Sequence, residues 1–450
     1  MILFEIAFSF SAAIAQEDTG KFDFYYQQIE KVVQIESAKP PVSAWDYVKS
    51  YATKGLNLVK KYWESTVTRN VFPGQGTKLW YSEKDPKIAY QVRRVRVTSE
   101  KQLLQAMGVA DSDTTKLTNG QKALLHMYRN AKDSTLKSLS KKAIFPRIVI
   151  NLTDTTGFGD YSKYPNLKTD FWPTSYGLSI TLPSWRFNFP NSETDAMTTF
   201  VHETAHCTNL TFKELKGYGP DGVHYSSELT KPRAAFQEAW SEYQELLFDP
   251  EMAKTWPNEF KTLMIEDPKI AGKYQYIDIK DPKISGMDLF SAEAVDAYLM
   301  YRMAKEIPDG RKKVEEAFGR TNFPWRSMPG LLKKFVSLYP ADAKKVAEIL
   351  DSTTVGKLSN QDMLKVLGNS PEVQSFVSSR KIEKAPAAVA SLNPSKSASS
   401  GVFSDPRKDY DSAYKGYLEA VKKGVAQGVV EAKKRLDSAS RKLKTAVNSR

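Results

Sequence analysis

The chain has 450 residues, 41 % of them hydrophobic and 26 % charged, with a net charge of +13. That balance excludes an intrinsically disordered polymer, and the length accommodates two or three domains with real cores. A single cysteine, Cys207, excludes an intramolecular disulfide, and no apolar run is long enough to span a bilayer.

The chain opens with MILFEIAFSFSAAIAQ, a short apolar run that ends in the A-x-A pattern Ala13-Ile14-Ala15. The pattern predicts a signal peptide over residues 1–15 and export to a periplasmic or extracellular space. Two features depart from it: no lysine or arginine precedes the run, and Glu5 interrupts it. Residues 16–140 are expected to be mostly helical, with helices at 22–36 and 43–66 broken by Pro40-Pro41. His126, in KALLHMYRN, falls on an amphipathic helix and reads as structural.

Residues 141–380 are expected to form the central domain. PRIVINLTD (146–154) and YGLSITLP (176–183) are β-branched or alternating runs bounded by Gly, Pro and Asp, so they read as strands. After residue 230 the apolar period is helical at 232–248, 291–307, 329–338, 341–350 and 360–379. Residues 381–406 form an Ala/Pro/Ser-rich flexible linker. Over 407–450, residues Tyr414, Leu418, Val421, Val425, Val429, Leu436, Leu443 and Val447 recur at helical spacing. From Arg380 onward the chain carries 16 Lys and Arg against 7 Asp and Glu. A basic amphipathic helix of this kind suits an anionic membrane or envelope surface, or a partner; no nucleic-acid reader motif accompanies the charge.

The stretch that carries chemistry is TTFVHETAHCTNL, residues 198–210, which sets His202, Glu203 and His206 in an H-E-x-x-H pattern. Ser192 with Asp195 gives an N-cap signal, and Met197, Phe200, Val201 and Ala205 form an apolar stripe, so the segment reads as a buried helix. Residues four apart share a helix face, so both imidazoles can reach one metal ion while Glu203, one step round, holds a water. Two neutral imidazoles suit one catalytic Zn2+, which also needs a third protein ligand and an open position. The extended pattern with a third histidine fails, because Asn209 and Phe212 occupy the Gly and His positions. Cys207 reads as a small buried hydrophobe.

A helix over TKPRAAFQEAWSEYQELL (230–247) offers an acidic ligand, with Thr230 as N-cap and Pro232 in its first turn. H-E-x-x-H followed by E-A-x-S-E resembles the glutamate-zincin (gluzincin) metallopeptidases, the broad thermolysin-like group; the resemblance spans roughly 50 of 450 residues. It implies His202, His206 and Glu238 on zinc, Glu203 as general base, and Glu242 hydrogen-bonded to a liganding imidazole. The chain departs from the group in two places. No histidine follows His224, which differs from the thermolysin branch, and no G-x-M-E-N stretch precedes the zinc helix, which differs from the aminopeptidase branch.

Helical spacing also places Glu238, Glu242 and Glu245 on one face; the rivals for the third ligand are Asp221 and His224 in the loop GYGPDGVHY. Tyr225, Tyr298 and Tyr301 are the candidate oxyanion donors, and the strand at 176–183 is the candidate edge for an extended substrate.

The expected fold is α+β and helix-rich. A zincin-like domain packs a small sheet on the H-E-x-x-H helix, and the C-terminal half is mostly helical. The expected function is zinc-dependent hydrolysis of peptide bonds in peptide or protein substrates. The alternative is a non-catalytic envelope or surface-binding protein that keeps a zinc site and acts through its basic tail. Glu203 discriminates, since a structural site has no use for a general base.

Overall fold

The computed structural model describes residues 21–35, 75–82, 85, 87–109, 113–143, 147–158, 167, 171–175, 179–208, 225–266, 274–321 and 326–380. The signal-peptide region, the helix expected at 43–66, the linker, the basic tail, Asp221 and His224 lie outside the described residues. The fold is mixed, with twelve α-helices, one six-stranded sheet and one two-stranded sheet among the described residues.

Where the sequence suggests a helix at 22–36, the chain forms strand β1 (Phe22–Gln34). Phe22, Phe24 and Tyr26 alternate into the main core, a period of two that suits a pleated strand. Its neighbours settle the choice. β1 pairs parallel with β4 (Ile148–Asp154) and antiparallel with β3 (Ile88–Val97), whose hairpin partner is β2 (Gly76–Tyr81). β4 pairs parallel with β6 (Ser179–Pro183), and the two-residue β5 (Thr174–Ser175) pairs antiparallel with β6. The order is β2-β3-β1-β4-β6-β5. Among the described residues, the stretch before residue 140 therefore supplies three strands as well as helices, and the sheet these strands form continues beyond residue 140.

The strands expected at 146–154 and 176–183 form as β4 and β6. Placing β6 at the edge is corrected: β6 is interior, and β5 lies outside it, with β2 at the opposite edge, among the described residues.

Helices α1 (Glu100–Ala106), α2 (Asn119–Arg129) and α3 (Ser134–Lys142) precede β4. Thr118 and Gln121 close a reciprocal capping box on α2, which carries His126 as expected. Helix α4 (Glu193–His206) carries the H-E-x-x-H residues. Its Phe200 lies with ring centroids 5.5 Å from Phe22 and 6.3 Å from Phe24, which fixes the helix against the sheet. Ser192 does not cap α4 with its side chain; its hydroxyl donates to the Phe187 carbonyl instead.

Helix α5 (Pro232–Phe248) packs on α4 and on α7 (Glu293–Glu306). Its N-cap is Lys231 rather than Thr230, whose hydroxyl donates to Ser291, while Pro232 sits in the first turn as expected. The short α6 (Pro250–Thr255) follows, then an unexpected hairpin of β7 (Thr262–Glu266) and β8 (Tyr274–Asp278). The rest is helical: α8 (Gly310–Gly319), α9 (Met328–Leu338), α10 (Ala343–Thr353), α11 (Asn360–Leu367) and α12 (Pro371–Ser379). The single period at 360–379 becomes two helices because Gly368 takes φ +90 and Pro371 starts a new first turn. Trp240 of α5 stacks on Phe318 of α8 with centroids 3.6 Å apart, tying the neighbour of α4 to the helical half.

Gly120 of α2 lets the helix approach the turn after β6, where an added Cβ would overlap the Ser184 carbonyl. Alanine is the better helix former by about 1 kcal/mol. Overlap with a fixed backbone outweighs that gain, so Gly120→Ala should destabilise the fold by about 1–3 kcal/mol. Thermal unfolding checks this; an unchanged or raised Tm would show that the 184–187 turn yields.

Candidate metal centre

His202 and His206 stand one turn apart on α4, and the Glu238 carboxylate reaches both from α5. Glu238 Oε2 lies 3.2 Å from His202 Nε2 and 3.1 Å from His206 Nε2, and the two Nε2 atoms are 3.0 Å apart. Each neutral or protonated ring nitrogen offers one in-plane site, either a lone pair or an N–H. Here each nitrogen faces two partners. No placement of protons satisfies all three contacts, whereas one cation at the centre accepts a lone pair from every corner. Ligand bonds of about 2.0–2.1 Å in a tetrahedron put ligand atoms about 3.3 Å apart, close to the observed triangle. Among the described residues this is the one group of three His, Cys, Asp or Glu side chains whose ligand atoms all lie within 4.8 Å of one another. The residues fit zinc: two nitrogens and one carboxylate oxygen, buried or nearly so.

The partner of the liganding imidazole differs from expectation. His202 Nδ1 faces Glu245 Oε1 at 3.3 Å, whereas Glu242 accepts a hydrogen bond from the Ser226 hydroxyl. Helical geometry explains the exchange. Seven residues turn a helix to within about 20° of the start, while four residues overshoot by about 40° on the other side. Glu245 is therefore nearly in line with Glu238 along α5, and Glu242 points round toward α7. Burial alone lowers the His202 pKa, but Glu245 and Glu238 outweigh it and hold the imidazole well above its usual range.

Glu203 is buried, with burial pushing its carboxyl up while the His206 and His202 charges pull the other way. Its carboxylate makes no hydrogen bond among the described residues, which leaves it available to a water or substrate at the cluster. Cys207 behaves as expected of a buried small residue; burial raises its thiol to about 12, and its sulfur lies 3.2 Å from the Ser175 hydroxyl. That contact sets β5, the strand outside β6, beside the C-terminal turn of α4.

The three candidate tyrosines separate. Tyr298 and Tyr301 stack on each other at 6.2 Å, with Tyr298 also against Phe260, and nothing brings them to the His202–His206–Glu238 cluster. Tyr225 is 47 % exposed and directly precedes Ser226, whose hydroxyl reaches α5. Sequence reasoning missed Glu245 and Ser226. The Glu238/Glu242/Glu245 stripe contained the signal for the first; nothing local pointed to the second.

No protein-family profile, curated protein or solved structure matches the chain. The chemistry of this centre therefore rests on its own geometry.

Two measurements follow from the ligand set. Glu245→Ala should weaken zinc binding by roughly 10–100-fold, and Glu242→Ala should weaken it less, by competition with a chromophoric chelator. The reverse order would return Glu242 to the imidazole. Because Glu245 and Glu238 favour the protonated form of His202, zinc must compete with that proton. Zinc affinity should fall between about pH 8 and pH 6; a flat profile contradicts the proton competition.

Proposed function

We propose that the protein is a zinc-dependent peptidase, with His202, His206 and Glu238 as the metal ligands and Glu203 as the general base. The observation that carries this reading is the triangle of ligand atoms that only a cation satisfies, with a buried and unbonded Glu203 next to it. Bound zinc supplies Lewis acidity, lowering the pKa of a water and polarising a carbonyl. Everything else falls to the chain itself.

Glu203 takes the proton of the attacking water and returns it to the leaving amine. Its burial suits both steps, because a carboxyl pushed up from its usual range holds a proton long enough to deliver it. Glu245 orients His202 through Nδ1. In this reading an extended peptide lies along β5, whose contact with Cys207 sets that strand next to the H-E-x-x-H helix. Tyr225 is the oxyanion donor this reading assigns. Membership of the glutamate-zincin group, export from the cell, and binding of an anionic surface by residues 407–450 belong to this same proposal and rest on the sequence alone. No helix among the described residues is long and apolar enough to cross a membrane.

Glu203→Gln should retain zinc while hydrolysis of a denatured protein substrate falls by on the order of a hundredfold or more. Full activity in that variant would rule the mechanism out. Tyr225→Phe should lower kcat by on the order of a hundredfold with zinc still bound, and Tyr298→Phe should leave kcat unchanged. Equal effects from both would remove Tyr225 from the site.

A further inference from the structure

Asp296 lies in the first turn of α7, fully enclosed, and neither of its carboxyl oxygens has a hydrogen-bond partner. Two further carboxyls share its surroundings. Glu293 is one turn away on the same helix, and Glu242 faces it from α5. Both are buried. Glu242 receives one hydrogen bond, from Ser226, and its second oxygen has none. The segment that supplies Ser226 packs on α7 through the Ala294 amide and also carries the buried Glu228.

The groups acting on Asp296 are therefore the carboxyls of Glu242 and Glu293. Those acting on Glu242 are Glu293, Ser226, Glu245 and, from α4, His202. Only His202 can offset charge there, and it is committed to Glu238 and Glu245.

Such a cluster needs a cation or a proton. These three carboxyls do not together bring an oxygen each within 4.8 Å of one another, as the ligand atoms of His202, His206 and Glu238 do, so they do not form a three-ligand metal site. The positive end of α7 favours negative charge in its first turn, but it supplies no N–H to Asp296.

We propose that Asp296 is a neutral carboxylic acid in the folded protein, and that its ionisation as pH rises loosens the packing of α7 on α5, the helix carrying Glu238. Burial, then Glu242, then Glu293 push Asp296 well above the usual carboxylate range, and burial with Glu293 does the same to Glu242. The sign follows from linkage. The unfolded chain ionises Asp296 in the ordinary carboxylate range, while the folded chain keeps the proton to higher pH. Between those two values the folded state binds more protons, so stability falls as pH rises through the window. Asparagine at 296 keeps the shape and removes the titration.

The test uses the full chain. With aspartate carboxyl carbons labelled with 13C, one resonance of the wild type should keep the chemical shift of a protonated acid after the ordinary carboxylates have ionised, and Asp296→Asn should remove it. As pH rises from the ordinary carboxylate range, the Tm of the wild type should lose more than that of Asp296→Asn. If every aspartate carboxyl of the wild type ionises together in the ordinary range, the proposal fails, whether or not the variant folds. It also fails if the variant loses stability with pH as steeply as the wild type. Neither readout depends on zinc or on hydrolysis, so the result stands apart from the peptidase reading.

Discussion

Three ligand atoms converge between α4 and α5, and their mutual contacts demand a positive centre. His202 and His206 come from a helix fixed to the sheet by Phe200, and Glu238 comes from a helix tied to the C-terminal bundle by Trp240. A cation at this point links the sheet side of the molecule to its helical side. Without one, two imidazoles and a carboxylate must rely on a proton held at His202 by neighbouring acids.

The surroundings are arranged for that centre at some cost in folded-state stability. Glu203, Glu238 and Glu242 are all buried, and burial of a charge is unfavourable unless it is compensated. A cation at the centre would compensate Glu238, and Glu245 is matched by His202. Glu242, turned toward α7, accepts a hydrogen bond from Ser226. Acidity is thus distributed along α5 by helical angle: Glu238 and Glu245 face the imidazoles, and Glu242 faces away from them.

The sheet serves the site through its edge. Parallel pairing of β1, β4 and β6 builds a buried interior, and the antiparallel β5 closes it with a short strand. β6 has neighbours on both sides, and β5 lies outside it among the described residues, with Ser175 touching the residue after His206.

What the sequence by itself determined was the chemistry that lies within one helical turn. His202, Glu203 and His206 are spaced by local geometry, and the apolar stripe around them required a buried helix; Glu238 followed from the acidic face of a second periodic segment. Strands β4 and β6 and most of the later helices were likewise legible, since their periods reflect local burial. Tertiary structure decided the rest. Residues 22–34 carry a pattern that either period can accommodate, and only pairing with β3 and β4 selects the strand. The edge position of β5, the exchange of Glu245 for Glu242 at His202, and the hydroxyl of Ser226 on Glu242 depend on which elements meet in space. A sequence period records which face of an element is buried. It does not record which neighbour buries it, and that neighbour determines where each carboxylate finds its counter-charge.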